Sequence, residues 1–435
     1  MKLNHAGALI IIASIWSLSV IVLLTSIDDH NGHCIQPEWI PKFRPFNVGV
    51  NRTYDWIHHT KHHFAPCPSN YTLTCPEQTS SHQKKTTALL WAWLMFLEDD
   101  ISQPIWTFDP CNKTQFRNGA TPYIDASSIY GTNISELSLQ RRHDGTGKLT
   151  LYESPWTNPN DDMFFLNFTS PFHPLVLALK LLFAREHNYW CDRISFDFED
   201  LNDGEIFQRA RHLVAAEIQA ITYQEVLPLL TGVQTLNSVN CFTWSENKKW
   251  EFSIQGEMAL LFDMWETFAP SLIPLRDIHT NVPTNISTDQ VDIEWFWKNG
   301  IESVLFGASR TVMPIFGSSG NNASLLQDKI LRARSLGLAS YRQYVVDFYS
   351  QRSEECLGEL QAGLLSENGF VHHLTKEILS KQFAQMKHND FYFYLWDRLI
   401  GKYREPLHNT KLSHIILRHT GISRQSLHPN VFELK

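Results

Sequence analysis

Three consecutive carboxylates, Glu98, Asp99 and Asp100, close an apolar run that starts near Thr87. Negative charge at the C-terminal end of a helix opposes the helix macrodipole and repels itself, so the run calls for a compensating cation. Shortly afterwards Thr121, Tyr123, Asp125 and Ser127 alternate along TPYIDAS. Read as an extended segment, that alternation places their side chains on one face. Hydroxyl, carboxylate and carbonyl oxygens at such spacing suit a hard cation such as calcium. The pattern is no EF-hand loop, and an ordinary polar strand face beside a solvated acidic helix end satisfies it equally well. Of the histidines, His173, His187 in AREHN and His212 in RARHLV invite a ligand role. The ordinary role of such a histidine is a hydrogen bond or a packing contact. Cys67 and Cys75 beside His58, His59, His62 and His63 lack a closed zinc-ligand pair. There is no HExxH motif and no basic stripe.

The elements that must carry these residues read as mainly helical. Thr87–Leu97 is apolar nearly all round, which marks a buried helix. Further helices are predicted from Pro174 to Arg193, from Gly204 to about Val226 with Pro228 as the stop, and over Ile254–Phe268. Helical periods return at Leu325–Leu336, Tyr341–Tyr349, Leu374–Met386 and Lys411–Thr420. Strand signals are few and no internal repeat is visible.

The chain of 435 residues, 43% of them hydrophobic, is long enough for a large core. A net charge of −8 gives nucleic-acid binding no electrostatic support. From Ala6 to Ile27 there is no charged residue, with Lys2 before the run and Asp28 and Asp29 after it. Residues 1–27 therefore read as a signal peptide or a signal anchor, which sends the remainder outside the cytoplasm. Only an uncleaved anchor brings membrane contact. N-x-S/T sequons at Asn51, Asn70, Asn112, Asn133, Asn167, Asn285 and Asn322 agree with a secreted or cell-surface glycoprotein. Four of the seven cysteines fall before residue 112. Residues 28–85 thus read as a loop-rich segment stapled by disulfides, whose pairing stays open.

Several ordered blocks resemble the animal haem peroxidase family. WLMFLEDD (Trp93–Asp100) is similar to its W-G-Q-x-x-D-H-D helix end, and TPYIDAS to its T-x-[FY]-x-D-x-S calcium loop. The likeness continues through AREHNYWCDRI, RARHLVAAEIQAITYQEVLPLL and RARSLGLASYRQY to LHPNVF. HNYWCDR also resembles the peroxidase-like domain of dual oxidases. The resemblance implies one mainly α domain over 86–435, an animal haem peroxidase-like helical domain with few short strands. It further implies a calcium site made by Asp100, Thr121, Tyr123, Asp125 and Ser127.

The same matching removes the haem machinery. The distal histidine falls on Asp99, the distal glutamine on Met95, and the haem-esterifying aspartate on Glu98. The distal arginine position is Thr169, the esterifying glutamate is Phe172, and His173 follows it. The proximal histidine falls on Pro270, which has no side-chain donor atom for iron, and its asparagine partner on Arg342. Asp99 retains the capacity to act as a general base. The resemblance therefore implies a catalytically silent extracellular module that keeps calcium and serves binding or scaffolding toward an extracellular or membrane protein. Its rival is a haem b-dependent peroxidase with a non-standard pocket, in which His173 is the foremost candidate ligand.

Overall fold

The computed structural model describes residues 40–46, 48, 50, 52–54, 86–108, 114–151, 173–232, 252–313 and 373–434. The N-terminal apolar run, all cysteines but Cys191, and the helical periods at 325–349 lie outside the described residues.

Helix α1 (Ala88–Ile101) is the axis of the fold, and every residue from Ala88 to Leu97 is buried. A helix that is apolar on all sides must be covered on all sides. It packs against α4 (Pro174–Asp197), α7 (Gly256–Glu266) and α9 (Glu302–Ala308). Trp93 fills the centre, against the rings of Phe96, Phe183 and Phe432, and its indole N–H donates to Thr222 Oγ1 at 3.1 Å. Strands are few. β1 (Arg52–Thr53), β2 (Pro104–Phe108) and β3 (Thr114–Asn118) form an antiparallel sheet in the order β1–β3–β2. β4 (Leu272–Arg276) and β5 (Pro283–Ser287) form a hairpin with Pro274 opposite Asn285.

Helix α4 starts at Pro174, whose missing N–H is harmless at the first helical position. It runs antiparallel neighbours with α5 (Asp203–Ile221), which Asn202 caps by accepting from Glu205 N at 3.0 Å. Pro228 is not the stop the sequence suggests. The chain passes through a π turn (Thr222–Val226) and stays helical as α6 (Leu227–Thr231), ending at Gly232 with φ +74°. Pro228 sits in the first turn of that new segment, where a missing donor is tolerated. TPYIDAS is also not one extended segment. It is a bent loop whose Ala126 takes φ +64° and which ends in the short helix α2 (Ser127–Tyr130).

The AREHN block works as a four-way staple. Arg185 Nη1 donates to Glu302 Oε1 at 2.9 Å and to the His419 carbonyl at 3.0 Å. Glu186 is fully buried and receives Arg418 and His419 of the helix α12 (Leu412–His419), which follows α10 (His373–Asn389) and α11 (Arg404–His408). His187 bridges Tyr130 Oη at 2.9 Å and the Gly147 carbonyl at 3.0 Å. Asn188 exchanges two bonds with the backbone of Leu149, at 2.8 and 3.0 Å.

The hairpin that carries Pro274 lies hard against α9. A Cβ at Gly307 would fall 2.1 Å from the Pro274 carbonyl oxygen, so only glycine lets the two backbones approach. Gly307→Ala is expected to lower stability by about 1–3 kcal/mol through overpacking. Gly204→Ala, where the added Cβ meets nothing closer than 3.4 Å, is expected to stay within about 0.5 kcal/mol of the parent. Denaturant unfolding of both variants checks this, and equal losses would contradict it.

Candidate functional site

The acidic end of α1 is met from two sides. Asp99 pairs with Lys180, which α4 projects from its buried face, and also accepts from Gln103 Nε2 at 3.1 Å. The side chains are 14% and 2% exposed, and burial pushes the Lys180 ammonium below its ordinary pKa. Asp100 points the other way and is fully buried. Its Oδ2 accepts from the amides of Asp125 at 3.1 Å and Ala126 at 3.3 Å, and its Oδ1 from the amide of Ser128 at 2.8 Å. Ser127 Oγ donates to the Asp100 carbonyl at 2.8 Å. The left-handed turn at Ala126 is what aims these amides at one carboxylate.

Within this loop Thr121 Oγ1 donates to the Tyr123 carbonyl at 3.2 Å. Asp125 Oδ1 accepts from the Ser127 amide at 3.1 Å, while its buried Oδ2 accepts no hydrogen bond. Arg211 Nη2 lies 3.9 Å from Asp125 Oδ2. Burial, then the neighbouring Asp125 charge, pushes the Asp100 carboxyl up to about 7. Two buried carboxylates that repel each other, an oxygen without a donor, two hydroxyls and the loop carbonyls form a donor set that fits a hard cation. Among the described residues no cluster of three or more His, Cys, Asp or Glu is arranged to hold a metal. This oxygen set escapes such a pattern because only two of its members are acidic side chains.

The positions that the resemblance assigns to haem are arranged differently. Met95 is buried and Glu98 is half-buried on the last turns of α1. Thr169, Phe172 and Arg342 lie outside the described residues. His173 caps α4: its Nδ1 accepts from the Leu175 amide at 3.3 Å, so its Nε2–H donates to the Pro270 carbonyl at 2.9 Å. Both ring nitrogens are thereby engaged. The Trp91 ring stands edge-on to His173 at 4.6 Å, and its N–H donates to the Trp265 carbonyl at 2.9 Å. The residue beside the distal position thus touches the residue at the proximal position directly, with Trp91 packed beside the contact. Pro270 offers no side-chain ligand, Asp99 is committed to Lys180, and His173 has no lone pair to give. These residues do not fit a haem.

His187 and His212 likewise spend both nitrogens. His212 Nδ1 bonds Asp397 Oδ2 at 2.5 Å, and its Nε2 accepts from the Arg44 amide at 2.9 Å. Lys180 belongs to none of the family motifs. Its signal was a lone lysine inside LVLALKLLF, where an unpaired charge could not be buried.

A family model described as animal haem peroxidase matches residues 104–355. Chorion peroxidase of Drosophila melanogaster is 24% identical over 65% of this chain and 42% of its own length. Dual oxidase 2 of Homo sapiens is 22% identical over 74% of this chain and 26% of its own length. The chain thus spans less than half the length of these curated relatives. The solved structure of peroxidase A from Dictyostelium discoideum superposes with a TM-score of 0.61 at 16% identity, covering 90% of this chain and 96% of that one. Its likeness shows the same fold.

Two outcomes are expected at the site. Lys180→Met alone leaves Asp99 without its cation and is expected to cost about 3–5 kcal/mol, whereas Lys180→Met with Asp99→Leu recovers most of that loss. Additive losses in a denaturation cycle would contradict the pairing. Burial depresses the His173 pKa from 6.5 to about 4. The folded chain then binds fewer protons than the unfolded chain between those values, so this group removes stability as pH falls from 6.5 to 4. His173→Gln keeps a donor and an acceptor but does not titrate. Its stability relative to the parent is expected to rise on acidification through that window, and parallel pH curves would contradict the assignment.

Proposed function

The chain belongs to the animal haem peroxidase family, and on that premise we propose that it is a catalytically silent, extracellular member acting as a calcium-stapled binding or scaffolding module. The observation that carries the reading is the direct contact of His173 with the Pro270 carbonyl. A peroxidase needs an iron ligand on one side of a porphyrin and an acid–base group on the other. Here the side chain next to the distal position closes onto the proximal position, and the ligand position holds a proline. The Asp99–Lys180 pair supports the same reading, since it occupies the carboxylate that stood in for the distal histidine.

Calcium is the part of the site that the residues suit. Asp100, Thr121, Tyr123, Asp125 and Ser127 would hold it, Tyr123 through its carbonyl, and the ion would neutralise two buried carboxylates at the end of α1. An extracellular location is supported by the uncharged N-terminal run and by the sequons; Asn133 and Asn285 are both exposed. Such a module would present its surface to an extracellular or membrane protein.

Expression with haem supplied tests the reading. The expected result is a folded protein without a stoichiometric Soret band and without peroxide-dependent guaiacol oxidation. A stoichiometric Soret band with turnover would overturn it in favour of a haem peroxidase with a non-standard pocket.

A further inference from the structure

Five charged groups lie buried at and beside the loop. Asp100, Asp125 and Asp390 are three carboxylates, Arg44 and Arg211 two guanidiniums, and none is more than 4% exposed. Arg44 belongs to a strap, Ile40–Phe46, that crosses α5 and the segment after α10. Its guanidinium takes both oxygens of Asp390, at 2.6 and 2.8 Å, and its amide donates to His212. Tyr392 Oη donates to the carbonyls of Pro41 and Phe43 at 2.7 and 3.0 Å, and Arg398 to that of Ile40 at 3.1 Å.

Arg211 joins the strap to the loop. Its Nη1 donates to the Arg44 carbonyl at 3.0 Å, its plane covers Phe46 at 3.8 Å, and its Nη2 faces the otherwise unbonded Asp125 Oδ2 at 3.9 Å. Gln219 makes a second link, donating to the Ile124 carbonyl at 2.8 Å and to Asp390 Oδ2 at 3.2 Å. A single cation therefore serves two acceptors, one on the loop and one on the strap.

We infer that cation occupancy of the Asp100–Ser127 loop and docking of the Ile40–Phe46 strap are coupled, with Arg211 and Gln219 as the shared elements. This rests on the calcium reading above. A divalent ion takes up the Asp125 charge and leaves Arg211 to hold the strap carbonyl. Withdrawal of the ion leaves three carboxylates facing two guanidiniums, which draws Arg211 toward Asp125 and away from Arg44. Coupling of this kind is reciprocal, so loosening the strap weakens the cation in the same proportion. The strap would then be the segment that a change in calcium exposes to a partner or a protease.

Amide hydrogen exchange on the full chain, in calcium and in a chelator, tests the coupling, with calorimetry reporting calcium binding. The expected result is exchange of the Arg44 amide, which donates to His212, at least tenfold faster in the chelator, with α4 amides changing far less. A reciprocal measurement uses Arg44→Met with Asp390→Asn, which removes the buried pair together so that no lone charge is left. Its calcium Kd is expected to rise at least fivefold. If that variant does not fold, the exchange comparison on the parent chain still decides. Calcium binding with unchanged strap exchange would overturn the coupling alone. No calcium binding would overturn the calcium reading and the coupling with it.

Discussion

Two adjacent carboxylates at the negative end of a buried helix are the constraint from which the rest of this structure follows. Asp99 and Asp100 cannot be left in the interior uncompensated, and they point in different directions. Lys180 answers Asp99 and so fixes the position of α4 against α1. The loop amides of Asp125, Ala126 and Ser128 answer Asp100 and fix the path of the chain out of the β2–β3 hairpin. Once α1, α4 and the loop are set, the AREHN residues on α4 bring α2, α9 and α12 to their places.

The two answers have different chemical consequences. A ring of amides and oxygens around Asp100 leaves a second buried carboxylate, Asp125, with one oxygen that accepts no hydrogen bond and faces Arg211 only at 3.9 Å. On the other side Asp99 is met by the Lys180 ammonium and by Gln103 Nε2. His173 and Pro270 are likewise bonded to each other. A fold shared with peroxidases is thus compatible with work that uses no iron, because the architecture depends on the staple and the acidic helix end and not on the ligands of a cofactor.

Much of this was legible in the residues. An all-apolar ALLWAWLMFL run predicts the central helix, and Pro174 and Asn202 mark the starts of α4 and α5. The motif order placed Asp100 beside Asp125 and Ser127, as observed. Three features were not legible. TPYIDAS reads as an extended segment because its polar residues alternate, but the amides serving Asp100 demand a left-handed residue at Ala126, and that demand is tertiary. Pro228 reads as a stop because a π turn, whose Tyr223 donates to the Phe383 carbonyl, has no local pattern. Arg44 and Arg211 lie 167 residues apart in sequence, and no periodicity announces that they share a cluster.

Metal analysis of the purified, unsupplemented protein probes the central claim most directly, since it asks whether the chain holds calcium, iron or neither. The expected result is stoichiometric calcium that survives dialysis, with iron far below stoichiometry. Stoichiometric iron with no retained calcium would contradict it.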